Sequence, residues 1–256
     1  MKNVIICADH NIGFNVINYI LKNNSKLFNI IDIYTTTTNN QGFWKPLKGN
    51  KKFRKSIKIF YDNKQFYNDI KLQNIDYIFL ISWKHLISES IIEKINIGII
   101  NLHYSLLPKY RGVYPVNNSI IYGEKITGIT YHWINKNIDC GSIIYQKNLK
   151  IESIDTASSL LKRLDKLAFK KFKRIWSGKI KLVIRKNPIN ELNSQYYSKK
   201  DFELTNELDL SKEYLALELL NLIRGKTFKN RSSLYYVDNN NEKIFIALKI
   251  FKEKDK

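Results

Sequence analysis

Two stretches carry side chains that could polarise a carbonyl and move a proton. Asn101-Leu102-His103 follows the apolar run Ile97-Gly98-Ile99-Ile100. Alternation along a strand puts Asn101 and His103 on one face and Leu102 on the other. A second strand-like run, Gly128 to Ile134, carries His132 and stops in the polar turn Asn135 to Gly141, which holds Asp139. An uncharged amide offers N–H groups to a developing oxyanion. An imidazole can give or take a proton near neutral pH, and a carboxylate can orient it, raise its basicity or relay protons through water. Attack of an amine on a carbonyl needs these parts, because it creates an oxyanion and an ammonium that must lose a proton. Singly, each signal has a plainer reading. An Asp in such a turn commonly serves the turn, and strand parity leaves His132 open between packing and the site.

The elements that must position these groups alternate along the chain. Val4 to Ala8 is a short apolar run suited to a strand covered on both faces. Asp9 to Gly13 reads as a turn, and Phe14, Ile17, Ile20 and Leu21 have helical spacing through Leu21. Without Gly-x-Gly-x-x-Gly, dinucleotide binding has no support, and His10 and Asn11 read as turn residues. Ile30 to Tyr34, Ser56 to Phe60 and Tyr77 to Ile81 are further strands. Thr35 to Arg54 is a polar, basic loop, and Gln65 to Leu72 and Glu89 to Lys94 are helices. This order predicts an α/β fold, Rossmann-like, with a mostly parallel sheet flanked by helices and right-handed crossovers. Ligands of such sheets sit beyond the carboxyl ends of the strands, so the loop from Ser82 to Ile87 is a natural wall for a flat heterocycle.

Pro115 suits the first turn of a helix through Tyr122. Ser142 to Ile151 alternates as an edge strand, and Asp155-Thr156 can cap a long helix from Ala157 to Trp176 with Leu160, Leu161, Leu164 and Leu167 as its stripe. Past Ser177-Gly178 the chain turns hydrophilic. A helix from Tyr214 to Leu222, ended by Arg224-Gly225-Lys226, and a hairpin over Leu234 to Ile250 follow. The expected division is residues 1–178 as a catalytic domain and 179–256 as a small C-terminal region ending in a β-hairpin.

Asn101-Leu102-His103, Ser105-Leu106-Leu107-Pro108, Tyr110-Arg111-Gly112 with Pro115, Gly128-Ile129-Thr130 and Ile138-Asp139-Cys140-Gly141 together resemble the core of the folate-dependent formyltransferases. The resemblance spans roughly Met1 to Lys173. It implies that N10-formyltetrahydrofolate is the formyl donor and an amine the acceptor. It makes Asn101, His103 and Asp139 the catalytic set, and it places Ser82, Trp83, Leu86, Ile87, Ile138 and Asp139 against the folate. Ser105 is expected to pin its loop through backbone bonds and is also a candidate for binding the substrate. Lys109, Tyr110, Arg111 and Gly112 are candidates for holding the acceptor, since a guanidinium in a Gly-punctuated loop can grip a diphosphate or carboxylate. Tyr197, Arg224 and Phe228 are further candidates, by stacking on a base or pairing with a diphosphate.

Among the branches, the Tyr-Arg-Gly-x-x-Pro element speaks against glycinamide ribonucleotide formyltransferases. Methionyl-tRNA formyltransferases share it but run longer, with a complete C-terminal barrel, and tend to a thioether where His132 stands. The chain is most similar to the sugar N-formyltransferases. That resemblance implies a nucleotide-linked amino-dideoxyhexose, with dTDP as the nucleotide, as acceptor, a role in surface polysaccharide of the O-antigen or lipopolysaccharide type, and a homodimer formed through the C-terminal hairpin. The alternatives are a methionyl-tRNA formyltransferase and a folate- or nucleic-acid-binding module without chemistry.

A chain of 256 residues can bury a sizeable core. The net charge of +20 would suit an anionic partner. Only seven of the 43 basic residues are Arg, however, and the lysines are spread through the chain. Clustered Arg with aromatics would be the stronger nucleic-acid footprint, so the charge argues little for nucleic acid. Cys7 and Cys140 give neither a disulfide framework nor metal spacing, and no metal is expected. No signal-like segment opens the sequence, and no run approaches the roughly 18 apolar residues of a membrane span. A cytoplasmic setting without membrane attachment is the expectation.

Overall fold

The computed structural model describes residues 1–36, 58–60, 66–68, 70, 74–183, 189, 194–229 and 231–253. A seven-stranded sheet runs in the order β3-β2-β1-β4-β5-β7-β8. Its strands are β1 (Lys2–Ala8), β2 (Phe28–Thr36), β3 (Lys58–Phe60), β4 (Tyr77–Ile81), β5 (Gly98–His103), β7 (Ile126–Trp133) and β8 (Ile143–Lys150). The pairs β1–β2, β2–β3, β1–β4 and β4–β5 are parallel, as the alternation of strands and helices predicts. The order reverses between β1 and β4, which makes their carboxyl ends the switch point of the sheet. The bulk of the predicted loop Thr35 to Arg54, and most of the predicted helix Gln65 to Leu72, lie outside the described residues. Within that helix, Phe66 to Asn68 are helical and Ile70 N–H donates to the Phe66 carbonyl at 3.0 Å.

The chain forms two compact units. The first comprises Met1–His103, Tyr131–Tyr145 and Asp165–Pro188. Its centre is β1 and β4, where Val4 to Ala8 are wholly buried and Ile78, Phe79 and Ile81 likewise. These continuous apolar runs can be satisfied only by cover on both faces of the sheet. Part of that cover is the C-terminal half of a long helix, α4 (Ala157–Trp176), whose bounds agree with the predicted ones. Phe172 meets Phe79 edge-on and Trp176 stacks on Phe28 at 5.0 Å. Trp176 Nε1 donates to the Asn23 carbonyl, so the indole buries its ring without stranding its donor.

The helix α1 (His10–Ile20) begins earlier than its apolar spacing predicts. Gly13 lies inside it rather than ending a turn. A Cβ there would stand 2.8 Å from the Ala8 carbonyl carbon, so the glycine allows the first helical turn to fold back onto the strand it leaves.

The second unit comprises Tyr104–Thr130, Gln146–Leu164 and Ile189–Lys256. It contains the two-residue strands β6 (Arg111–Gly112) and β9 (Tyr196–Tyr197), paired in parallel, and the helices α3 (Pro115–Ile121) and α6 (Ala216–Lys226). The sequence reading ended the last helix at Leu222, yet it runs on through Gly225. The reason is packing. A Cβ on Gly225 would lie 2.4 Å from Ile121 Cγ1, and its carbonyl accepts from Asn117 Nδ2 at 2.8 Å. The glycine therefore serves a close helix–helix approach instead of a stop. A hairpin of β12 (Tyr235–Val237) and β13 (Lys243–Phe245) is antiparallel, with Tyr235 opposite Phe245. Among the described residues no helix is long and apolar enough to cross a membrane, and no group of His, Cys, Asp or Glu is arranged to hold a metal.

Candidate active site

Asn101 and His103 leave the carboxyl end of β5, and His132 sits one residue from the end of β7. Asp139 lies in the turn that follows β7, with a left-handed φ of 55°. Asp tolerates that backbone better than most residues with a Cβ, because its short polar side chain can bond locally. Two residues on, Gly141 is required sterically. A Cβ there would sit 1.7 Å from the Trp133 carbonyl oxygen. The turn closes tightly against the end of β7 and so delivers the Asp139 carboxylate beside the two strands.

The four side chains meet within the first unit. His103 Nδ1 is 3.5 Å from Asp139 Oδ2, and His132 Nε2 is 3.5 Å from Asp139 Oδ1. Asn101 Nδ2 lies 3.2 Å from His132 Nε2 and 3.4 Å from Asp139 Oδ1. His103 is 5% exposed and Asp139 9%, while His132 is wholly buried. Low exposure strengthens these electrostatic contacts relative to the same groups in water.

The bond of His132 Nδ1 to the Trp133 carbonyl oxygen, 2.8 Å long, sets the rest. A carbonyl only accepts, so Nδ1 carries hydrogen, and in the neutral ring Nε2 is an acceptor. It takes a hydrogen from the Asn101 amide. The opposite orientation of that amide would press its oxygen against the Asp139 carboxylate. Asn101 is thus held with its NH₂ between imidazole and carboxylate. The 3.4 Å contact to Asp139 is the longer of the two, and it is the one an arriving carbonyl oxygen can replace. In that tautomer His132 orients Asn101. His132→Ala is expected to lower kcat about tenfold while leaving the donor KM nearly unchanged, within the range for loss of an orienting hydrogen bond. Steady-state kinetics would show it, and a loss as deep as that of His103→Ala would mean that His132 moves the proton itself.

The remaining candidates divide. In the first unit, Trp83 and Ile87 are partly buried and pack against the cluster of Ile5, Ile78, Leu80 and Ile99. Leu86 and Ile138 stay 66% and 37% exposed, and Ser82 has a left-handed φ of 54°. In the second unit, Ser105 Oγ donates to the Lys109 carbonyl at 2.6 Å, the loop-pinning role expected of it. Tyr110 stacks on Tyr197 with centroids 5.6 Å apart, and Tyr122 closes the group at 5.3 Å from Tyr197. Glu124 accepts from Tyr110 Oη and pairs with Lys109 Nζ. Burial, then the neighbouring Tyr122 and Glu124, push the Tyr197 phenol up to about 12, so it stays protonated. Gly112 has φ 87°, and a Cβ there would stand 2.3 Å from the Tyr197 carbonyl oxygen. Arg111 donates to Ser194 Oγ at 2.6 Å and lies over the Tyr196 ring. Phe228 lies on β10 (Thr227–Phe228) and is partly buried.

Arg224 departs from its expected role in gripping a diphosphate. Its guanidinium donates to the Asp155 and Glu152 carbonyls and to Asn221 Oδ1, and the residue is only 7% exposed. It supports the frame of the second unit. Tyr122, by contrast, was not singled out by the sequence. It stands at the helix end where Tyr110 and Tyr197 converge, a grouping that only the pairing of β6 with β9 reveals.

Residues 10–175 match the formyl transferase family. The chain belongs to that family. Residues 201–252 match the N-formyltransferase dimerization C-terminal domain. A 4-N formyltransferase from Francisella tularensis superposes with a TM-score of 0.76 at 24% identity, covering 98% of both chains, and shares the fold. WlaRD, a sugar 3N-formyl transferase solved with dTDP and 5-N-formyl-THF, is 26% identical with a TM-score of 0.67, covering 91% of this chain and 84% of that one. The bifunctional polymyxin resistance protein ArnA of Wigglesworthia glossinidia brevipalpis is 34% identical over 88% of this chain. A methionyl-tRNA formyltransferase of Halothermothrix orenii is 30% identical over 64% of it. The chain spans 34% and 51% of the lengths of these two curated relatives.

Proposed function

We propose that this formyl transferase family member moves the formyl group of N10-formyltetrahydrofolate to the amino group of a nucleotide-linked amino-dideoxyhexose, with dTDP as the nucleotide and surface polysaccharide as the product's destination. The observation that carries the reading is the convergence of Asn101, His103 and Asp139 at one end of the sheet. Asn101 Nδ2 donates to the carbonyl oxygen as negative charge develops there. With Asp139 holding a proton on His103 Nδ1, the other ring nitrogen is the basic one and takes the proton that the attacking amine must lose.

The residues at this edge suit a reduced folate. Leu86 and Ile138 offer exposed apolar side chains against which a flat heterocycle can lie. Backbone groups from Ser82 to Ser88, which form no regular element, can pair with the polar edge of a pterin. When bound, the folate supplies an activated formyl group. WlaRD was solved with 5-N-formyl-THF, and a Helicobacter canadensis N-formyltransferase with folinic acid and dTDP-3-aminofucose. Both support the donor and the acceptor class. For the acceptor, the rings of Tyr122, 57% exposed, and Tyr197 offer an aromatic face for a base. Lys109 and Arg111 place cations in the same unit.

A homodimer is part of the proposal. Leu204, Leu215, Leu217 and Phe245 are exposed within the region matching the dimerization domain. Apolar side chains so placed mark an interface better than a solvated face. Leu217→Lys combined with Phe245→Asp is expected to convert the dimer to monomer at micromolar concentration, read by light scattering after size exclusion. An unchanged mass would move the interface elsewhere.

The second reading is methionyl-tRNA formylation, favoured by the curated relatives of that name. Incubation with N10-formyltetrahydrofolate and a panel of dTDP-amino sugars, and separately with methionyl-tRNA, decides between them by mass spectrometry. Formyl transfer to a dTDP-amino sugar is expected. Formylation of tRNA alone would replace this reading, and no transfer to any amine would leave a binding module.

A further inference from the structure

Three strand ends meet where β1 passes into α1. The Asp9 backbone N–H donates to the Ile81 carbonyl at the end of β4, at 3.0 Å. Its carboxylate, 1% exposed, does not cap α1. It accepts instead from Thr35 Oγ1, Thr36 N–H and Thr36 Oγ1 at the end of β2, at 2.8, 2.9 and 2.8 Å. Asp9 therefore fastens β1 to both neighbours. The next residue does something different. His10 Nδ1 lies 2.8 Å from the hydroxyl of Ser82, the first residue after β4 and the root of the loop that leads to Ser88.

His10 and Ser82 both hold left-handed backbones, φ 64° and 54°. That conformation is costly for a residue with a Cβ and persists only where the surroundings impose it. Here the helix start aims the imidazole, and the imidazole holds the Ser82 hydroxyl. Burial, with the Lys84 cation nearby, lowers the His10 pKa to about 4, so the contact is a neutral hydrogen bond near neutral pH. The pair stands at the point where the strand order reverses, the edge at which open α/β sheets take ligands.

We propose that His10 is a positioning residue for the formyl donor, fixing through Ser82 the direction in which the donor-binding loop leaves β4. This rests on the reading of that loop as a wall of the folate site. Acting through Ser82, His10 sets the loop beforehand, and its loss is felt as an ordering cost when the donor binds.

The test uses His10→Ala, Ser82→Ala, the double variant and His10→Asn, whose amide can reach the same hydroxyl. For each, the Kd of 5-formyltetrahydrofolate is measured by calorimetry, with kcat at saturation, KM for donor and acceptor, and Tm. His10→Ala and Ser82→Ala are each expected to raise the donor Kd and KM about tenfold, with kcat within about twofold and the acceptor KM unmoved. The double variant should be no worse than either single, because both remove one interaction, and His10→Asn should recover most of the affinity. A wild-type donor Kd in the alanine variants would overturn the proposal. So would additive losses, or donor and acceptor KM rising together with a fallen Tm. Failure of the wild-type protein itself to bind the folate would overturn the donor-site reading and this inference with it, whereas normal binding by wild type and variants alike removes His10 alone.

Discussion

Replacing His103 with alanine is expected to lower kcat at least about a hundredfold, the scale of losing a positioned general acid–base group. The His103 ring lies against the carboxylate, its Nδ1 3.5 Å from Asp139 Oδ2. His132 has its Nδ1 fixed to Trp133, whereas His103 faces the carboxylate of Asp139. A proton gained by His103 is stabilised by that carboxylate as it arrives. Asp139→Ala should therefore fall by a similar factor, and the double variant by little more than either single, since the pair acts as a unit. Rapid-quench measurement of single-turnover formyl transfer separates chemistry from binding. Near-wild-type transfer by either variant would remove that residue from the reaction.

Gly141→Ala is expected to be the most damaging substitution outside the reacting groups. The added methyl would lie 1.7 Å from the Trp133 oxygen and 2.5 Å from its carbonyl carbon. Both atoms are backbone, so no rotamer change relieves the overlap. The turn must pull away from β7, which threatens the bond from Trp133 N–H to the Ser142 carbonyl and the one that His132 makes to the same Trp133 oxygen. Asp139 moves with the turn. The expected cost is about 3–5 kcal/mol of stability, the upper range for single substitutions, with activity falling further than the folded fraction. Urea denaturation beside kinetics on the folded protein would show both. A wild-type midpoint would mean that the turn has room which this geometry denies it.

Strand parity was enough to place Asn101 and His103 together, because a period of two allows no other arrangement within one strand. The long helix was legible to its ends for a related reason: twenty residues of consistent spacing outweigh local exceptions. Glycine misled twice. Gly13 and Gly225 read as punctuation, yet each sits inside a helix where a neighbouring backbone or side chain comes too close for a Cβ. Sequence cannot tell a glycine kept for its backbone freedom from one kept for its small size. Parity could not assign His132 either, since both faces of β7 are covered. Tyr131 reaches the Ala168 carbonyl from one face while His132 meets Asn101 from the other. Arg224 was lost to the same blindness, because its partners are carbonyls brought near by folding.

All four groups assigned to the chemistry come from the first compact unit, and the tyrosines, lysine and arginine proposed for the acceptor come from the second. A lineage could thus retain its one-carbon machinery while remodelling the part that selects the amine. Grafting the second unit's segments from a homologue of different acceptor preference should transplant that preference and leave the folate chemistry intact.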